Sequence, residues 1–133
     1  MADPKNESLF PSGPWRGYFV YNERPGRFKM DLDLRFTNGV LQGAGDDPVG
    51  PFSIRGSYSL ETLEVSWVKR YPTHDVSYRG FREGRGIWGT WSIRPDWRGG
   101  FMIWPKGMGE QAQERMYEEA LEPDAVPMAG AAK

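Results

Sequence analysis

The side chains best suited to proton chemistry in this chain are Lys69, His74, Tyr78 and Tyr58. A partly desolvated Lys or His can titrate near neutral pH, and a Tyr hydroxyl can hydrogen-bond a developing oxyanion. Such a set would suit an isomerase, cyclase or decarboxylase that acts on a small molecule. One hypothesis is therefore an enzyme that uses His74 with Tyr78, with Lys69 as a further catalytic candidate.

His74 is the single histidine of the chain, which excludes metal sites that require two. It could act as a general base, as one axial ligand of a haem, or as a residue hydrogen-bonded to a neighbouring turn, and we favour the last. No nucleophile elbow, phosphate loop or paired-carboxylate motif accompanies it. Because the same residues can anchor a ligand in a pocket that only binds, we favour binding over catalysis.

Acidic and basic residues offer two further chemistries. Asp46 and Asp47 fall well short of the roughly six to eight oxygen ligands that calcium takes, so residues 46–50 are better interpreted as a turn. We expect no metal and no cofactor. Stacking on single-stranded nucleic acid would use Arg79, Phe81, Arg82, Arg85, Trp88 and Arg94. Acidic residues lie among these arginines and offset their positive charge, and the net charge of the chain is -1. We therefore expect neither nucleic acid nor an anionic membrane as a partner.

Composition points to one small β domain. A length of 133 residues suffices for a single core, and 17 Gly with 11 Pro favour short strands and tight turns. Without cysteine there is neither a disulfide nor a thiolate nucleophile, which suits a reducing compartment. No leader-like start and no apolar run of about 18 residues is present, so we expect a soluble, cytoplasmic protein.

Period-two patterns predict eight strands. Residues 28–36 alternate strictly between apolar and charged side chains, which predicts a strand with one solvent-exposed face. Weaker alternation predicts strands at 15–21, 40–45, 52–58, 63–69, 74–80, 87–93 and 101–104. The links are too short for parallel crossovers, and closing the meander removes its edges. The predicted fold is all-β: an eight-stranded up-and-down antiparallel barrel over residues 13–105, after a flexible segment 1–12.

After the last strand the period changes to that of a helix. Met116, Tyr117 and Leu121 lie on one stripe, which predicts a C-terminal helix over residues 107–122, packed outside the barrel, and a flexible tail 123–133. By parity, an outward apolar patch on the last two strands consists of Trp88, Met102 and Trp104. Such a patch requires a cover, which this helix or a second copy of the chain in a homodimer would provide.

Parity also places the polar groups at one end of the barrel. Alternate turns of a meander gather together, so residues 22–26, 46–50, 70–73 and 95–99 should form one rim, with Lys69 and His74 pointing inward beneath it. We interpret this rim as the mouth. The predicted ligand-binding residues are Tyr21, Tyr58, Lys69, His74, Tyr78, Arg94 and Trp97, while Asp46, Asp47 and Tyr71 also surround the mouth. The opposite end is apolar and should be plugged by Trp15 and its neighbours.

Gly13-Pro14-Trp15 opens the first strand, eight short strands follow, and a helix succeeds the last one. This pattern resembles the calycin group of barrels, which includes lipocalin-like and avidin-like proteins. The resemblance implies that Trp15, in the G-x-W position, closes one end and that small ligands bind in the barrel. The sequence does not match the biotin-binding polar residues of avidins, a second lipocalin motif or the lipocalin disulfide. Binding of biotin, retinoids or lipids is therefore not inferred from the resemblance.

Three functions follow from these patterns. The favoured one is non-catalytic binding of a small apolar or aromatic molecule in the barrel interior. The others are a protein-interaction module whose interior is filled by side chains, and the small-molecule enzyme described above. Because an eight-stranded barrel is just wide enough for side chains or one small ligand, an internal cavity above roughly 300 Å³ would favour binding or catalysis.

Overall fold

A computed structural model of the chain describes residues 8–94 and 97–121, and within them eight antiparallel strands close into a barrel with one external helix. The elements are β1 Gly13–Tyr21, β2 Arg24–Thr37, β3 Val40–Asp47, β4 Gly50–Tyr58, β5 Glu64–Arg70, β6 Asp75–Glu83, β7 Gly86–Arg94, β8 Trp97–Pro105 and α1 Gln111–Glu118. The up-and-down barrel with a C-terminal helix outside it, predicted from alternation, is confirmed.

Each strand pairs with the next along the chain, and β8 returns to pair with β1. Tight turns make this possible: Asn38 and Gly39 both have positive φ, 50° and 82°, as a two-residue type I′ hairpin requires. Closure leaves no open edge strand among the eight. Within the described residues no helix is long and apolar enough to span a membrane.

Alternate residues of the strands point into the barrel, as the parity argument predicted. The predicted inward residues are buried, apart from four that are half-buried: Tyr58, Leu63, His74 and Ile93. Phe28, Met30, Ile87 and Ile103 have no exposed surface at all. The core therefore runs continuously from one end of the barrel to the other.

An aromatic plug closes the end where β1 begins and β8 ends. Trp15 is 1 % exposed, and its indole Nε1 donates a hydrogen bond to the Pro11 carbonyl at 2.8 Å. Phe10 packs beneath it, with its ring centroid 5.3 Å from that of Phe36. Residues 8–12 fall in the segment predicted to be flexible, yet Phe10 is 4 % exposed, a contact that a lone ring in a polar segment does not reveal by periodicity. Residues 1–7 lie outside the described residues.

The helix is shorter than the predicted 107–122. Gly107, at φ 85°, turns the chain after β8, and Glu110 caps the helix in a reciprocal capping box with Gln113. Beyond the last turn the Leu121 N–H donates to the Arg27 carbonyl at 2.6 Å, which ties the chain to β2. The predicted tail, 123–133, lies outside the described residues.

Helix α1 covers only part of the predicted outer patch. Trp104 is fully buried, and its indole Nε1 donates to Glu114 Oε2 at 2.7 Å. Trp88 remains 50 % exposed, so the helix does not cover it, and a second copy of the chain stays the other predicted cover. The physical reason is polar anchoring, because the Arg16–Glu114 ion pair and a hydrogen bond from Tyr117 to Asp31 hold the helix over β1 and β2.

Candidate functional site

Lys69 is a fully buried charged residue inside an otherwise aromatic barrel. The alternation of β5 points it inward beside Trp67, as predicted. Its Nζ lies 2.7 Å from Asp47 Oδ2 and 3.3 Å from the Tyr71 hydroxyl oxygen. Lysine is almost never fully buried unless it is paired, and here Asp47 is that partner. We refer to Lys69, Asp47 and Tyr71 as the Lys69 cluster.

Asp47 connects the cluster to the turn between β3 and β4. It is the last residue of β3, and its Oδ1 accepts a hydrogen bond from the Val49 N–H at 2.9 Å. Its Oδ2 accepts from Lys69 and from the Tyr71 hydroxyl, the latter at 2.5 Å. One carboxylate, with no exposed side-chain surface, therefore shapes the turn and neutralises the buried ammonium.

Aromatic rings surround the Lys69 ammonium on several sides. Its Nζ lies 4.5 Å from the Phe52 ring centroid, 4.7 Å from that of Tyr78 and 5.1 Å from that of Phe19. These distances allow attraction between the cation and the ring faces. Burial lowers the pKa of Lys69 from its ordinary value, while the Asp47 carboxylate opposes that shift. The ammonium thus depends on Asp47 for its charged state.

Three tyrosines near the cluster are neutral hydrogen-bond donors. Burial, then the neighbouring Asp47, raises the pKa of Tyr21 to about 12. Burial also raises the pKa of Tyr78 well above its ordinary value. The pKa of Tyr71 is raised by burial first, and then by its neighbours Tyr78 and Asp47. At neutral pH these phenols can donate hydrogen bonds but cannot act as bases.

His74 lies over Tyr71 on the loop between β5 and β6. The two rings stack with centroids 4.8 Å apart, and His74 Nδ1 lies 2.8 Å from the Thr73 hydroxyl. Its Nε2 is buried and has no hydrogen-bond partner within the described ranges. Burial lowers the pKa of His74, with Asp75 opposing, so the imidazole is neutral at neutral pH. This ring nitrogen is thus buried and unpaired within the described part of the chain.

The described side chains around these residues leave a small cavity between them. A cavity of about 10 Å³ lies beneath the mouth. It is lined by Phe19, Tyr21, Val49, Tyr71, Val76, Tyr78 and Trp91. That volume accommodates at most about one water molecule, whereas ligand pockets commonly measure about 300 to 1,000 Å³. This cavity is therefore too small to hold a ligand of that kind.

The structure brings most, but not all, of the predicted site residues together. Four of them lie at the mouth end, namely Tyr21, Lys69, His74 and Tyr78. Lys69 belongs to the cluster, and the other three pack against it or interact electrostatically with its charged groups. Tyr58 is a correction: it packs against Phe10, with centroids 4.9 Å apart, at the plugged end.

Arg94 ends β7 and Trp97 begins β8. The Arg94 guanidinium lies 5.8 Å from the Trp97 ring centroid. Arg94 is exposed, and Trp97 is half-buried against the core. Both therefore belong to the rim rather than to the Lys69 cluster.

Sequence reasoning placed Asp47 and Tyr71 at the mouth but missed their pairing with Lys69. The signal was present, because Tyr71 follows Lys69 at a spacing of two and so shares its inward direction. An inward lysine also requires a carboxylate, and Asp47 at the end of β3 is within reach. The turn interpretation of residues 46–50 agrees with the hydrogen bond from Val49 to Asp47.

The chain matches no protein-family model, no curated protein and no solved structure at a significant level. The eight-stranded barrel with its external helix is consistent with a calycin-like fold. The likeness to that group is therefore one of architecture. A shared architecture does not by itself indicate a shared function.

We expect Lys69→Met and Asp47→Asn each to lower the free energy of unfolding by about 3 kcal/mol, because each leaves a buried polar group without its partner. The double variant should lose less free energy of unfolding than the sum of the losses of the two single variants. Urea unfolding measures all three. The exposed Arg70–Asp75 pair on β5 and β6 is the matched control, and Arg70→Met with Asp75→Asn should cost at most about 1 kcal/mol. Additive losses in the Lys69–Asp47 pair would contradict the coupling.

We expect the imidazole of His74 to titrate below the usual value of about 6.5, because burial disfavours its charged form. As the single histidine, it contributes a lone Hε1 signal to an NMR titration. Asp75→Asn should lower the pKa further by removing a stabilising negative charge, and Asp33→Asn on β2 is the matched control. A value above 6.5 in the wild-type protein would overturn the buried, neutral assignment.

Proposed function

We propose that this barrel binds a small apolar or aromatic molecule at its mouth without transforming it. The observation that carries the proposal is the fully buried Lys69 held by Asp47 and Tyr71. A buried ion pair contributes little net stability compared with apolar packing. Clustered ionisable groups with shifted pKa values are instead characteristic of functional sites. Apolar walls with a few converging polar groups also describe the usual ligand pocket.

Because this cavity measures only about 10 Å³, ligand entry there requires part of the mouth to move. The two-residue turn Pro48-Val49 between β3 and β4 is the element we propose to move, because Val49 lines the cavity and is half-buried. Its displacement would expose the aromatic walls formed by Phe19 and Tyr78. Binding would then be coupled to opening, as in proteins whose competent state is a minor one.

Binding is favoured over catalysis by the contacts of the proton-transfer candidates. His74 contacts Thr73 and stacks on Tyr71, whereas Tyr78 stacks on Trp67 with centroids 5.1 Å apart. Lys69 is engaged by Asp47. The candidates thus do not form the base-to-substrate arrangement that an isomerase or cyclase would require.

N-phenyl-1-naphthylamine, a neutral aromatic dye that fluoresces in apolar surroundings, tests the proposal. We expect saturable binding to the wild-type protein, with affinity lowered about tenfold or more by Val49→Trp, because a larger ring obstructs the mouth. Val68→Trp is the matched control, since Val68 is 37 % exposed on the outer face of β5. Fluorescence titration gives the affinities. Equal effects of the two substitutions on the affinity would refute entry at the mouth.

A second candidate function is a protein-interaction module, and one observation favours it. Phe81 and Trp88 are paired across β6 and β7, and each is 50 % exposed. Met102 lies opposite Trp88 on β8. Adjacent exposed rings of this kind are common where proteins associate. Trp104, which sequence analysis included in this patch, is buried under the helix and so is not part of the surface.

Self-association is the form of this candidate that is simplest to test. We expect sedimentation velocity to show a concentration-dependent shift from monomer to dimer that Phe81→Ser and Trp88→Ser abolish. Val40→Ser, on the outer face of β3 and 43 % exposed in the wild type, should leave the shift unchanged. A monomer at every concentration would exclude a homodimer through this face.

A further inference from the structure

The charge of Lys69 has one described carboxylate as its counterpart. Asp47 is that carboxylate, at 2.7 Å. The other described neighbours of the ammonium are the Tyr71 hydroxyl, the Met30 sulfur and aromatic ring faces, all of which are neutral. Removing a carboxylate from a buried ammonium leaves an uncompensated charge, which is strongly unfavourable in an apolar interior.

Asp47 is also attached to the turn that closes the mouth. It directly precedes Pro48, and its Oδ1 accepts a hydrogen bond from the Val49 N–H. A displacement of the turn that makes room for a ligand therefore withdraws the carboxylate from Lys69. Whatever enters must supply a replacement negative charge, or Lys69 must lose its proton.

We propose that the ligand is an organic anion, with an apolar or aromatic body and an acidic group such as a carboxylate, which replaces Asp47 on Lys69 and Tyr71. The inference rests on the proposed function. In the closed structure Asp47 occupies the place of the ligand's acidic group. The barrel is thus held shut by an internal mimic of the compound it binds.

The donors around Asp47 Oδ2 form a preorganised receptor for an acidic group. Lys69 Nζ and the Tyr71 hydroxyl donate to the same oxygen, at 2.7 and 2.5 Å. Tyr71 is neutral, because its pKa is raised, and the ring of His74 stacks on it. Two donors converging on one oxygen match a carboxylate or sulfonate, since a charge-assisted hydrogen bond is stronger than a neutral one. The rings of Phe19 and Phe52 would contact the apolar body.

Two dyes that share a phenylaminonaphthalene skeleton test this inference. One is 1-anilinonaphthalene-8-sulfonate, an anion, and the other is the neutral N-phenyl-1-naphthylamine. The wild-type protein should prefer the anion. Asp47→Asn should raise affinity for the anion about tenfold relative to the neutral dye, because the competing internal carboxylate is gone. Asp46→Asn is the matched control, since Asp46 is exposed on the same strand, and its ratio of affinities should equal that of the wild type.

Removal of the receptor groups should have the opposite effect. Lys69→Met should abolish the preference for the anion, and Tyr71→Phe, which keeps the ring and loses one donor, should reduce it severalfold. Tyr71→Phe keeps the test decisive if Lys69→Met does not fold, as judged by near-ultraviolet circular dichroism. A Trp88→Ser background excludes binding of either dye to the exposed outer ring.

The outcomes separate the inference from the function on which it rests. If both dyes bind and neither Asp47→Asn nor Tyr71→Phe changes the ratio of their affinities, the anion inference is overturned while ligand binding stands. If neither dye binds to the wild-type protein or to any variant, both are overturned. A ratio that rises with Asp47→Asn and falls with Tyr71→Phe supports both.

Discussion

The carboxylate of Asp47 joins two requirements that the barrel must satisfy together. Its Oδ2 neutralises the Lys69 ammonium in a core of aromatic rings, and its Oδ1 holds the turn between β3 and β4. Because one side chain does both, the electrostatics of the interior and the position of the rim are not independent. Any change that moves the turn alters the charge balance inside, and any change of charge inside acts on the turn.

The two ends of the barrel are closed by different kinds of interaction. At one end Phe10, Trp15 and Phe36 exclude water mainly by apolar packing, which is non-directional, and their hydrogen bonds go to neighbouring residues of the chain rather than to a charged group. At the other end the closure is polar and directional, through Asp47 and Tyr71. Hydrogen bonds and ion pairs can be exchanged for equivalent contacts with another molecule, whereas an aromatic plug can only be removed. This asymmetry favours the polar end as the functional one.

The barrel could be predicted from the sequence because strand alternation is a local signal. The strict pattern at residues 28–36 set which faces point inward, and parity then placed Lys69 inside. Other features depend on contacts between distant segments and leave no local pattern. Phe10 reaches Phe36 only after the strands close, and Tyr58 shares the parity of Tyr78 but belongs to the opposite end.

The site was predicted less completely than the fold for the same reason. Parity tells which face a side chain occupies, but it does not tell which turn supplies its counter-charge. The pairing of Lys69 with Asp47 joins β5 to the end of β3, two strands that are not neighbours in the sheet. The helix was misplaced over Trp88 because its position depends on the anchors Arg16 and Asp31, which lie on β1 and β2.

The direction of β1 determines how the molecule can be presented to its surroundings. The strand starts at the aromatic plug, so the described chain enters the barrel at the end opposite to the mouth, where Ser12 bonds to the Phe36 N–H. A tether joined to the protein ahead of β1 would therefore emerge from the far end. A fusion partner joined directly before Ser8 would therefore lie beside the aromatic plug and away from the rim.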